Sequence, residues 1–348
     1  MLHRLRQWLS PDLAIDLGSA NTRIALFNQG IVLDEPTVVA LQNGSRKILG
    51  RGAAVGKLAR QMLGRTPDSI SAVRPIRHGV ITDFELCEAM LRHFVQKAAK
   101  QSPGFRPRVL VSVPQSITSV ERRAVFGTAE RAGAGSIYLL ESAKATAIGA
   151  GMPISEPLAS LVCNIGAGTT EVAIFSLGET VASCSTRIAG DAFDDAIVDW
   201  MKQRFGLKIG RQTAEHLKRE VGSASLQTSE KATEVNGLDA MSSVPRKVLV
   251  TTGEVRQAIM APLAKILSGI RQVLEQCQPE LVADLADTGM VLAGGSALLP
   301  GLDDFFSEQL AIPVLIAEDP EQTVVRGLSI CSEHLNEWQS SLFSIHDS

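Results

Sequence analysis

The chain has 348 residues, a hydrophobic fraction of 45%, a charged fraction of 20% and a formal net charge of −3 at pH 7. This length gives room for two ordinary domains, and the composition is that of a protein with a hydrophobic core, not of a disordered chain. The small negative charge argues against a nucleic-acid partner, because a broad nucleic-acid footprint usually needs a basic domain.

The chain contains five cysteines, an odd number, and no CxxC pair. The sequence therefore predicts neither a zinc site nor a disulfide framework, and it favours a reducing cytoplasm. No apolar run approaches the ~18 residues that a membrane-spanning helix needs. The N-terminus also lacks the continuous apolar stretch of a signal peptide.

The first nine residues form a basic amphipathic pattern, which Pro11 would end. A segment of this kind, with a tryptophan among its apolar residues, can lie in a membrane interface. The alternative is a frayed end, or a helix docked on the core. The apolar residues at helical spacing are Leu2, Leu5, Trp8 and Leu9.

Strands and helices alternate along the rest of the chain, which predicts the α/β class. A polar, poorly patterned stretch at Ser223–Val244 indicates a surface excursion within a domain. In chain order, the pattern predicts a strand at Leu13–Leu17, a glycine turn, a strand at Thr22–Phe27, a helix at Asp83–Ala98, a strand at Val109–Val113, a helix opened by the capping-box pattern Thr118–Glu121 and running to Ala132, strands at Leu161–Ile165 and Glu171–Phe175 around a second glycine turn, and a strand at Met290–Leu292.

One internal repeat is present: Asp16–Ala25 aligns with Asn164–Ala173, and each copy has the order strand, glycine turn, strand. Such a turn exposes successive backbone N–H groups and lets a phosphate approach without a Cβ in the way. Two ordinary β-hairpins would show the same local pattern. The duplication, with polar residues after each glycine, favours phosphate binding.

A third glycine element follows the predicted strand at Met290–Leu292. The pair Gly294-Gly295 precedes a predicted helix start, and this geometry lets a flat base or a ribose pack against the backbone. Glycine at the start of a helix is common, so this element alone is a weak signal.

Together these segments resemble the actin and sugar-kinase ATPase superfamily and, within it, the MreB family of bacterial actins. The resemblance covers nearly the whole chain and rests on long ungapped runs, which are more specific than any glycine motif. The runs are Ala14–Thr22, Gly30–Ala40, Gln61–Pro67, Arg74–Ile76, Gly79–Ile81, Val120–Ala124, Gly166–Ala173, Leu274–Glu275, Pro279–Leu281 and Ala317–Pro320.

The resemblance implies an actin-like fold of two related halves with a nucleotide cleft between them. A membrane-binding segment would span residues 1–10. Domain I would span residues 11–145 and 316–348, with a smaller insertion at about 33–75. Domain II would span residues 146–315, with a smaller insertion at about 186–250.

The resemblance also implies ATP and Mg²⁺ as ligands. Asp16 would help to hold the metal through water. The implied nucleotide-binding residues are Gly18, Ser19, Ala20 and Asn21 in the first phosphate loop, Gly166, Ala167, Gly168 and Thr169 in the second, and Glu215, Lys218, Gly294, Gly295, Ser296 and Ala297 near the ribose and base.

Members of this family polymerise into paired filaments on the membrane, are linked to the peptidoglycan-building machinery and set rod shape. The resemblance therefore implies a homopolymer that is cytoplasmic and peripheral on the inner face of the cell membrane. Its partners would be lipids, membrane proteins of the rod complex, the cell-wall synthesis machinery and, if this chain is a divergent second copy, another family member. The N-terminal segment matches the family's membrane-binding helix. Phe105 matches a second membrane-touching site, although it could equally be a single exposed aromatic residue.

Two acidic positions of the family are replaced. Ser142-Ala143 stands where the family has a catalytic glutamate followed by proline, and Asn164 stands where it has an aspartate. Ser142 cannot orient a water as a carboxylate does, and Asn164 keeps the size of aspartate without its charge. Glu141 is a doubtful substitute, because one residue along a helix turns the side chain by about 100°. The sequence thus predicts weakened hydrolysis, while Ser142 also suits the N-cap of the following helix.

Two further departures are Lys144, in place of an apolar residue, and Ser296, in place of a glycine near the base. The alternative function is an actin-fold ATPase or kinase that acts on a soluble substrate and forms no filament. Against this alternative, the chain has no C-terminal substrate-binding extension and no candidate sugar-binding carboxylate.

Overall fold

The structure is a computed structural model that describes residues 12–43, 48–50, 54–99, 106–335 and 337–344. The residues predicted to touch a membrane, Leu2, Leu5, Trp8, Leu9 and Phe105, lie outside the described residues. The chain divides into two compact units, which are Met1–Met152 with Gln322–Ser348, and Pro153–Glu321. Within the described part, no helix is both long and apolar enough to cross a membrane.

The order of elements confirms the predicted α/β class. In chain order they are β1 (Leu13–Leu17), β2 (Asn21–Leu26), β3 (Gly30–Pro36), β4 (Val39–Gln42), α1 (Lys57–Met62), β5 (Ile70–Val73), β6 (Ile76–Arg77), β7 (Val80–Ile81), α2 (Phe84–Ala98), β8 (Arg108–Val113), α3 (Ser119–Arg131), β9 (Ser136–Glu141), α4 (Ser142–Gly149), β10 (Ser160–Ile165), β11 (Thr170–Ser176), β12 (Glu179–Thr186), α5 (Gly190–Phe205), β13 (Leu207–Lys208), α6 (Arg211–Val221), β14 (Ala232–Asp239), β15 (Pro245–Thr251), α7 (Thr252–Glu275), α8 (Pro279–Thr288), β16 (Met290–Ala293), α9 (Leu302–Leu310), β17 (Val314–Ile316), α10 (Thr323–Glu333) and β18 (Phe343–Ser344).

The first unit is built on a six-stranded sheet in the order β18-β9-β8-β1-β2-β3. Its central strand β1 pairs antiparallel with β2 and parallel with β8. Nearly all residues of β8 are buried, because helices cover the interior strands of such a mixed sheet. The largest buried side chain on α2 is Phe94, which belongs to the same core, and burying a side chain of that size contributes about 1.5–3 kcal/mol.

The second unit repeats this arrangement in a five-stranded sheet with the order β12-β11-β10-β16-β17. Its central strand β10 pairs antiparallel with β11 and parallel with β16. Strand for strand, this order matches β3-β2-β1-β8-β9 of the first unit. The internal repeat seen in the sequence is therefore a repeat of sheet topology, centred on β1 and β10.

Helix starts follow the predicted capping signals. Asp83 is the N-cap of α2 and accepts a hydrogen bond from Leu86 N at 3.2 Å, so the helix begins one residue after the predicted start. Thr118 and Glu121 form the predicted capping box of α3, in which the side chain of each residue bonds to the other's backbone N–H. Local side-chain chemistry was therefore sufficient to predict where both helices begin.

Ser223–Val244 lies within the second unit, as the predicted excursion inside a domain requires, but part of it is a regular strand that the sequence did not predict. The stretch contains β14, which pairs antiparallel with β13 and β15 in a three-stranded sheet. Only Val235 of this strand is fully buried, so its sequence lacks the apolar alternation by which a strand is recognised. Pairing with its neighbours, which sequence periodicity does not report, decides the conformation here.

Helices α4 and α10 of the first unit pack backbone against backbone. A Cβ at Gly149 would collide with Thr323 O, and a Cβ at Gly327 would collide with Ala145 O. Glycine is required at both positions because of this close approach. The contact fixes α4, the helix that opens at Ser142.

Candidate functional site

The first glycine turn is set by the register of β1 and β2. Leu17 pairs with Thr22, which leaves Gly18–Asn21 as a four-residue turn. Thr37 holds this turn: its hydroxyl donates to Gly18 O at 2.7 Å, and its N–H donates to Ala20 O at 2.8 Å. Two carbonyl oxygens of the turn thus accept hydrogen bonds from Thr37, a residue that lies outside the turn.

The polar side chains of the first turn also hold the loop. Ser19 Oγ accepts a hydrogen bond from Gly79 N at 3.0 Å, and Asn21 Nδ2 donates to Asp34 Oδ1 at 3.1 Å. The turn can therefore offer an anion mainly its backbone N–H groups, which is how glycine-rich phosphate loops bind.

Asp16 lies two residues before this turn, at the end of β1. Ser112 Oγ donates to its Oδ1 at 2.9 Å and accepts from Leu17 N at 3.3 Å. Burial raises the pKa of the Asp16 carboxyl, while the Arg23 guanidinium and the Ser112 hydrogen bond act in the opposite direction. Ser112 was missed in the sequence, although a single serine within the apolar strand β8 is a visible signal.

Asp16 can offer its carboxylate to a hydrated Mg²⁺, which usually takes one or two protein carboxylates and completes its shell with water and phosphate oxygens. Among the residues that the structure describes, no three His, Cys, Asp or Glu side chains cluster as a ready-made metal site. The donor set around Asp16 thus suits an ion bound together with a phosphate, not a dedicated protein cage.

The second glycine turn has the same register as the first. Ile165 pairs with Thr170, which leaves Gly166–Thr169 as a four-residue turn. Two backbone groups at the start of α5 hold it: Gly190 N donates to Gly166 O at 3.1 Å, and Asp191 N donates to Ala167 O at 2.7 Å.

The third glycine element packs against this second turn. Ser296 Oγ donates to Gly166 O at 2.9 Å. Gly294 has φ +84°, and a Cβ there would collide with Ile165 O and lie 2.6 Å from Asn164 Oδ1. Glycine is thus required for the close approach to Asn164. At the predicted helix start the chain forms a short 3₁₀ helix, Gly295–Leu298, in which Ala297 is fully buried.

Lys218, predicted to lie near the ribose and base, forms a largely buried ion pair within the second unit. Its Nζ lies 2.6 Å from Asp194 Oδ1 and donates to Gly190 O at 3.0 Å, so it joins α6 to the start of α5. Burial raises the pKa of Asp194 to about 6 despite the opposing effect of Lys218. Glu215 accepts from Arg219 on the same helix at 2.7 Å. Sequence reasoning missed Asp194, because nothing local marks it.

Ser142 is not the N-cap of α4, contrary to the prediction. Strand β9 runs straight into α4, so the residue with extended backbone angles at the junction is Glu141, and Ser142 is the first helical residue. The Ser142 hydroxyl instead donates to Val113 O at 3.0 Å. Glu141 is half-buried; burial raises its pKa, while Lys144 and Arg122 oppose that rise.

The predicted site residues therefore fall into two groups in the first unit and one in the second. The first unit brings Asp16 together with the turn Gly18–Asn21, and separately places Glu141 beside Ser142. The second unit brings Asn164, the turn Gly166–Thr169 and the element around Gly294 into direct contact.

Comparison with known proteins shows which family this chain resembles. The family model described as MreB/Mbl protein matches residues 10–340. Cell shape-determining protein MreB of Escherichia coli (strain K12) is 47% identical over 350 residues, which cover 99% of this chain and 99% of that protein. Cell shape-determining protein Mbl of Bacillus subtilis (strain 168) is 43% identical over 326 residues, which cover 94% and 97%.

Solved structures agree with these relatives. MreB 5 of Spiroplasma citri bound to AMPPNP superposes with a TM-score of 0.88 at 31% identity, over 95% of this chain and 98% of that one. A MamK double helical filament superposes with a TM-score of 0.79 at 21% identity, over 93% and 99%, and at that identity it supports the fold alone. The fold is actin-like, and the chain belongs to the MreB/Mbl family.

Proposed function

We propose that this protein is an ATP-binding, actin-like filament protein that organises cell-wall synthesis and cell shape from the inner face of the cell membrane. The observation that carries the proposal is the pair of glycine turns, Gly18–Asn21 and Gly166–Thr169, at the same register in two topologically matched sheets. The function follows from family membership, because its relatives include proteins named as cell shape-determining.

Nucleotide binding is supported by two independent points. The turns present backbone N–H groups beside glycines, which is the arrangement that binds phosphate. The related MreB5 of Spiroplasma citri has been solved bound to ADP, at 32% identity. In our proposal, Mg²⁺ enters with the nucleotide, held near Asp16 through water, and neutralises phosphate charge.

Hydrolysis is proposed to be slow. Ser142 donates to a backbone carbonyl and has no carboxylate with which to orient a water. Asn164 occupies the position in the second unit that Asp16 occupies in the first, but it carries no charge to attract a metal and its waters. Binding rests mainly on backbone groups and is expected to survive both replacements.

Sedimentation with nucleotide and lipid tests this function. Purified protein is centrifuged with ATP, AMPPNP, ADP or no nucleotide, each with and without vesicles that contain anionic lipids. We expect polymer that sediments with ATP and AMPPNP and that binds the vesicles. Absence of polymer under all conditions, together with nucleotide turnover that depends on a soluble acceptor, would instead support an actin-fold enzyme.

The membrane part of the proposal rests on Met1–Leu9 and is tested separately. Each large apolar side chain contributes about 1.5–3 kcal/mol if fully buried, before ordering costs, and partial insertion gives less. Deleting these nine residues should abolish vesicle binding and leave ATP affinity intact. Replacing Phe105 with serine in the full chain tests the second predicted membrane contact. Vesicle binding that is unchanged in both variants would show that neither Met1–Leu9 nor Phe105 attaches the protein to the membrane.

A further inference from the structure

Glu35 is a buried carboxylate on the core-facing side of β3. Leu33 and Glu35 are both buried, while Asp34 between them is exposed. The alternation of a strand places Leu33 and Glu35 on one face, and Leu33 belongs to the hydrophobic core of the first unit. Burying a carboxylate on such a face is unfavourable unless other groups compensate, so the contacts of Glu35 must explain its presence there.

Both carboxylate oxygens of Glu35 accept a hydrogen bond, and each bond comes from a different helix. Lys97 Nζ on α2 donates to Oε1 at 2.6 Å, and the backbone N of Lys57, the first residue of α1, donates to Oε2 at 2.9 Å. Burial acts to raise the pKa of Glu35, but these two hydrogen bonds and the charges of both lysines hold that pKa below its ordinary value. Glu35 therefore joins β3, α1 and α2 at one point as a charged group.

Gly56 allows Glu35 to approach the start of α1. It has φ +66°, and a Cβ there would lie 2.5 Å from Glu35 Oε2 and 3.3 Å from Glu35 Cβ. Gly56 N also donates to Val38 O at 2.9 Å. The start of α1 is thus bound both to the side chain of Glu35 and to the backbone just after β3.

Thr37, two residues after Glu35, carries the contacts that hold the first glycine turn. Its N–H and its hydroxyl donate to two carbonyl oxygens of Gly18–Asn21, at 2.8 Å and 2.7 Å. Pro36 lies between Glu35 and Thr37, and its ring fixes its own φ. Little backbone freedom therefore separates the contacts to α1 and α2 from the contacts to the turn.

We propose that Glu35 is a positioning residue for nucleotide binding. By fixing the end of β3 to α1 and α2, it holds Thr37 in the place from which Thr37 supports the turn Gly18–Asn21. This inference rests on the proposed function for its consequence, which is ATP binding at that turn. The positioning itself is a property of the first unit without nucleotide.

Amide hydrogen exchange on the full chain without nucleotide tests the positioning. Gly56 N reports on the side of α1, and Thr37 N, which donates to Ala20 O, reports on the side of the turn. Glu35→Gln keeps the shape of the side chain but loses the charge and one of the two accepting oxygens. Both amides should exchange roughly tenfold faster, as expected on loss of one charge-assisted hydrogen bond. If only Gly56 exchanges faster, or if neither does, the proposal is overturned.

Variants of the two lysines test the contact itself. Lys97→Met should speed exchange at both amides by about threefold, less than Glu35→Gln does, because the Lys97 side chain is 56% exposed and water screens the pair. Lys97→Arg keeps the charge and a donor, so it should restore the natural rates. Lys57→Met is the matched control, since Lys57 bonds to the carboxylate through its backbone N–H, which the substitution retains. An effect of Lys57→Met as large as that of Lys97→Met would overturn the role of the Lys97 contact.

ATP affinity connects the positioning to the nucleotide. Glu35→Gln should weaken ATP binding roughly tenfold, because only molecules with an ordered turn are competent to bind. Gly56→Ala should weaken it similarly, because the new Cβ displaces the Glu35 carboxylate. Gly64→Ala is the matched control: Gly64 has the same φ of +66°, but a Cβ there would meet nothing within 4 Å. It introduces the same backbone strain and should leave ATP affinity unchanged.

The outcomes separate positioning from a purely structural role. Natural ATP affinity in the Glu35→Gln variant, or equal affinities in the Gly56→Ala and Gly64→Ala variants, would overturn the proposal, since loss of stability alone would then account for every effect of Glu35. A natural protein that binds no ATP would overturn the proposed function instead. The exchange rates at Thr37 and Gly56 would still decide whether Glu35 positions the turn.

Discussion

In the first unit, the turn Gly18–Asn21 is held largely by side-chain hydrogen bonds. The Thr37 hydroxyl donates to Gly18 O, the Asn21 amide donates to Asp34, and the Ser19 hydroxyl accepts from Gly79 N. In the second unit, the turn Gly166–Thr169 is held by backbone N–H groups at the start of α5 and by one hydroxyl. The backbone register is the same in both. One geometry is thus maintained by two different sets of contacts.

The residues two positions before the turns differ in charge and not in placement. Asp16 lies opposite Arg23 in its strand pair, and Asn164 lies opposite Glu171 in the corresponding pair. Asparagine is nearly isosteric with aspartate, so Asn164 can keep its place against Gly294 while the charge is lost. The turn and the charge beside it can thus change independently, so we expect nucleotide binding to persist where hydrolysis is weakened.

The largest effect is expected from breaking the contact beneath the second turn. Gly294→Ala places a Cβ in collision with Ile165 O at a φ of +84°. The backbone strain and the overpacking together should cost about 2–5 kcal/mol. We expect a lower urea midpoint and loss of ATP binding, measured by chemical unfolding and by calorimetry.

Gly178→Ala is the matched control for that variant. Gly178 lies in the same unit with a φ of +78°, but a Cβ there would meet nothing within 4 Å. Gly178→Ala introduces the same backbone strain without the collision. Its loss of stability should therefore be smaller, and the variant should bind ATP normally. Equal loss of stability in the two variants would show that the contact with Asn164 and Ile165 contributes nothing.

The next effect concerns the charges that are missing from the site. Ser142→Glu with Asn164→Asp should raise phosphate release by up to about 10²–10⁴-fold, because positioned acid–base help is worth that much. The single variants should give less, and their effects need not add. The rates are compared at saturating ATP and fixed polymer mass. If the natural protein already turns over as fast as the double variant, another residue, Glu141 first, orients the water.

Sequence patterns predicted the parts of the fold that are decided locally. The caps at Asp83 and Thr118 and the strand Leu13–Leu17 depend on neighbouring residues and were predicted to within a residue. Strand β14 was missed, because its conformation comes from pairing with β13 and β15 and not from its own apolar periodicity. Register and pairing partners are long-range quantities that local patterns do not contain.

The candidate site divides in the same way. The glycine turns were visible because a glycine is needed wherever another atom would occupy the Cβ position. Their supports were not visible, because Ser112 and Asp194 reach the site from distant strands and helices. The role of Ser142 was misjudged, because its partner, Val113 O, is 29 residues away in the chain.

An intermediate effect is expected from the ion pair that supports the second turn. Asp194 has a pKa raised to about 6, above the ordinary 3.8. Folding therefore favours the protonated form, so the stability that this carboxyl contributes is present below about pH 4 and is lost as pH rises from 4 through 6. The loss can reach about 3 kcal/mol, since one pKa unit corresponds to about 1.4 kcal/mol.

Asp194→Asn should flatten the fall in the free energy of unfolding between pH 4 and pH 6, as measured by urea unfolding at a series of pH values. Asp195→Asn is the control, because the neighbouring Asp195 pairs with Arg211 at the surface, with side chains 46% and 61% exposed. Asp194 is intact in that variant, so the fall between pH 4 and pH 6 should remain. The same slope in the Asp194→Asn variant and the natural protein would mean that Asp194 is not the group that titrates.

The smallest effect is expected from the two hydroxyls that support the turns from outside, one for each turn. Ser296→Ala removes a donor to Gly166 O, but Gly190 N still donates to that oxygen. The cost should therefore be about 0.5–1.5 kcal/mol, the net value of one hydrogen bond.

Thr37→Val removes the donor to Gly18 O and also the partner of the fully buried Thr22 hydroxyl, 2.9 Å away. Leaving a buried hydroxyl without that partner costs about 1–3 kcal/mol. In urea unfolding and ATP titration, the first turn should therefore be the more sensitive of the two. If Ser296→Ala costs as much as Thr37→Val, the second turn depends on its hydroxyl as strongly as the first, and its backbone support is weaker than the distances indicate.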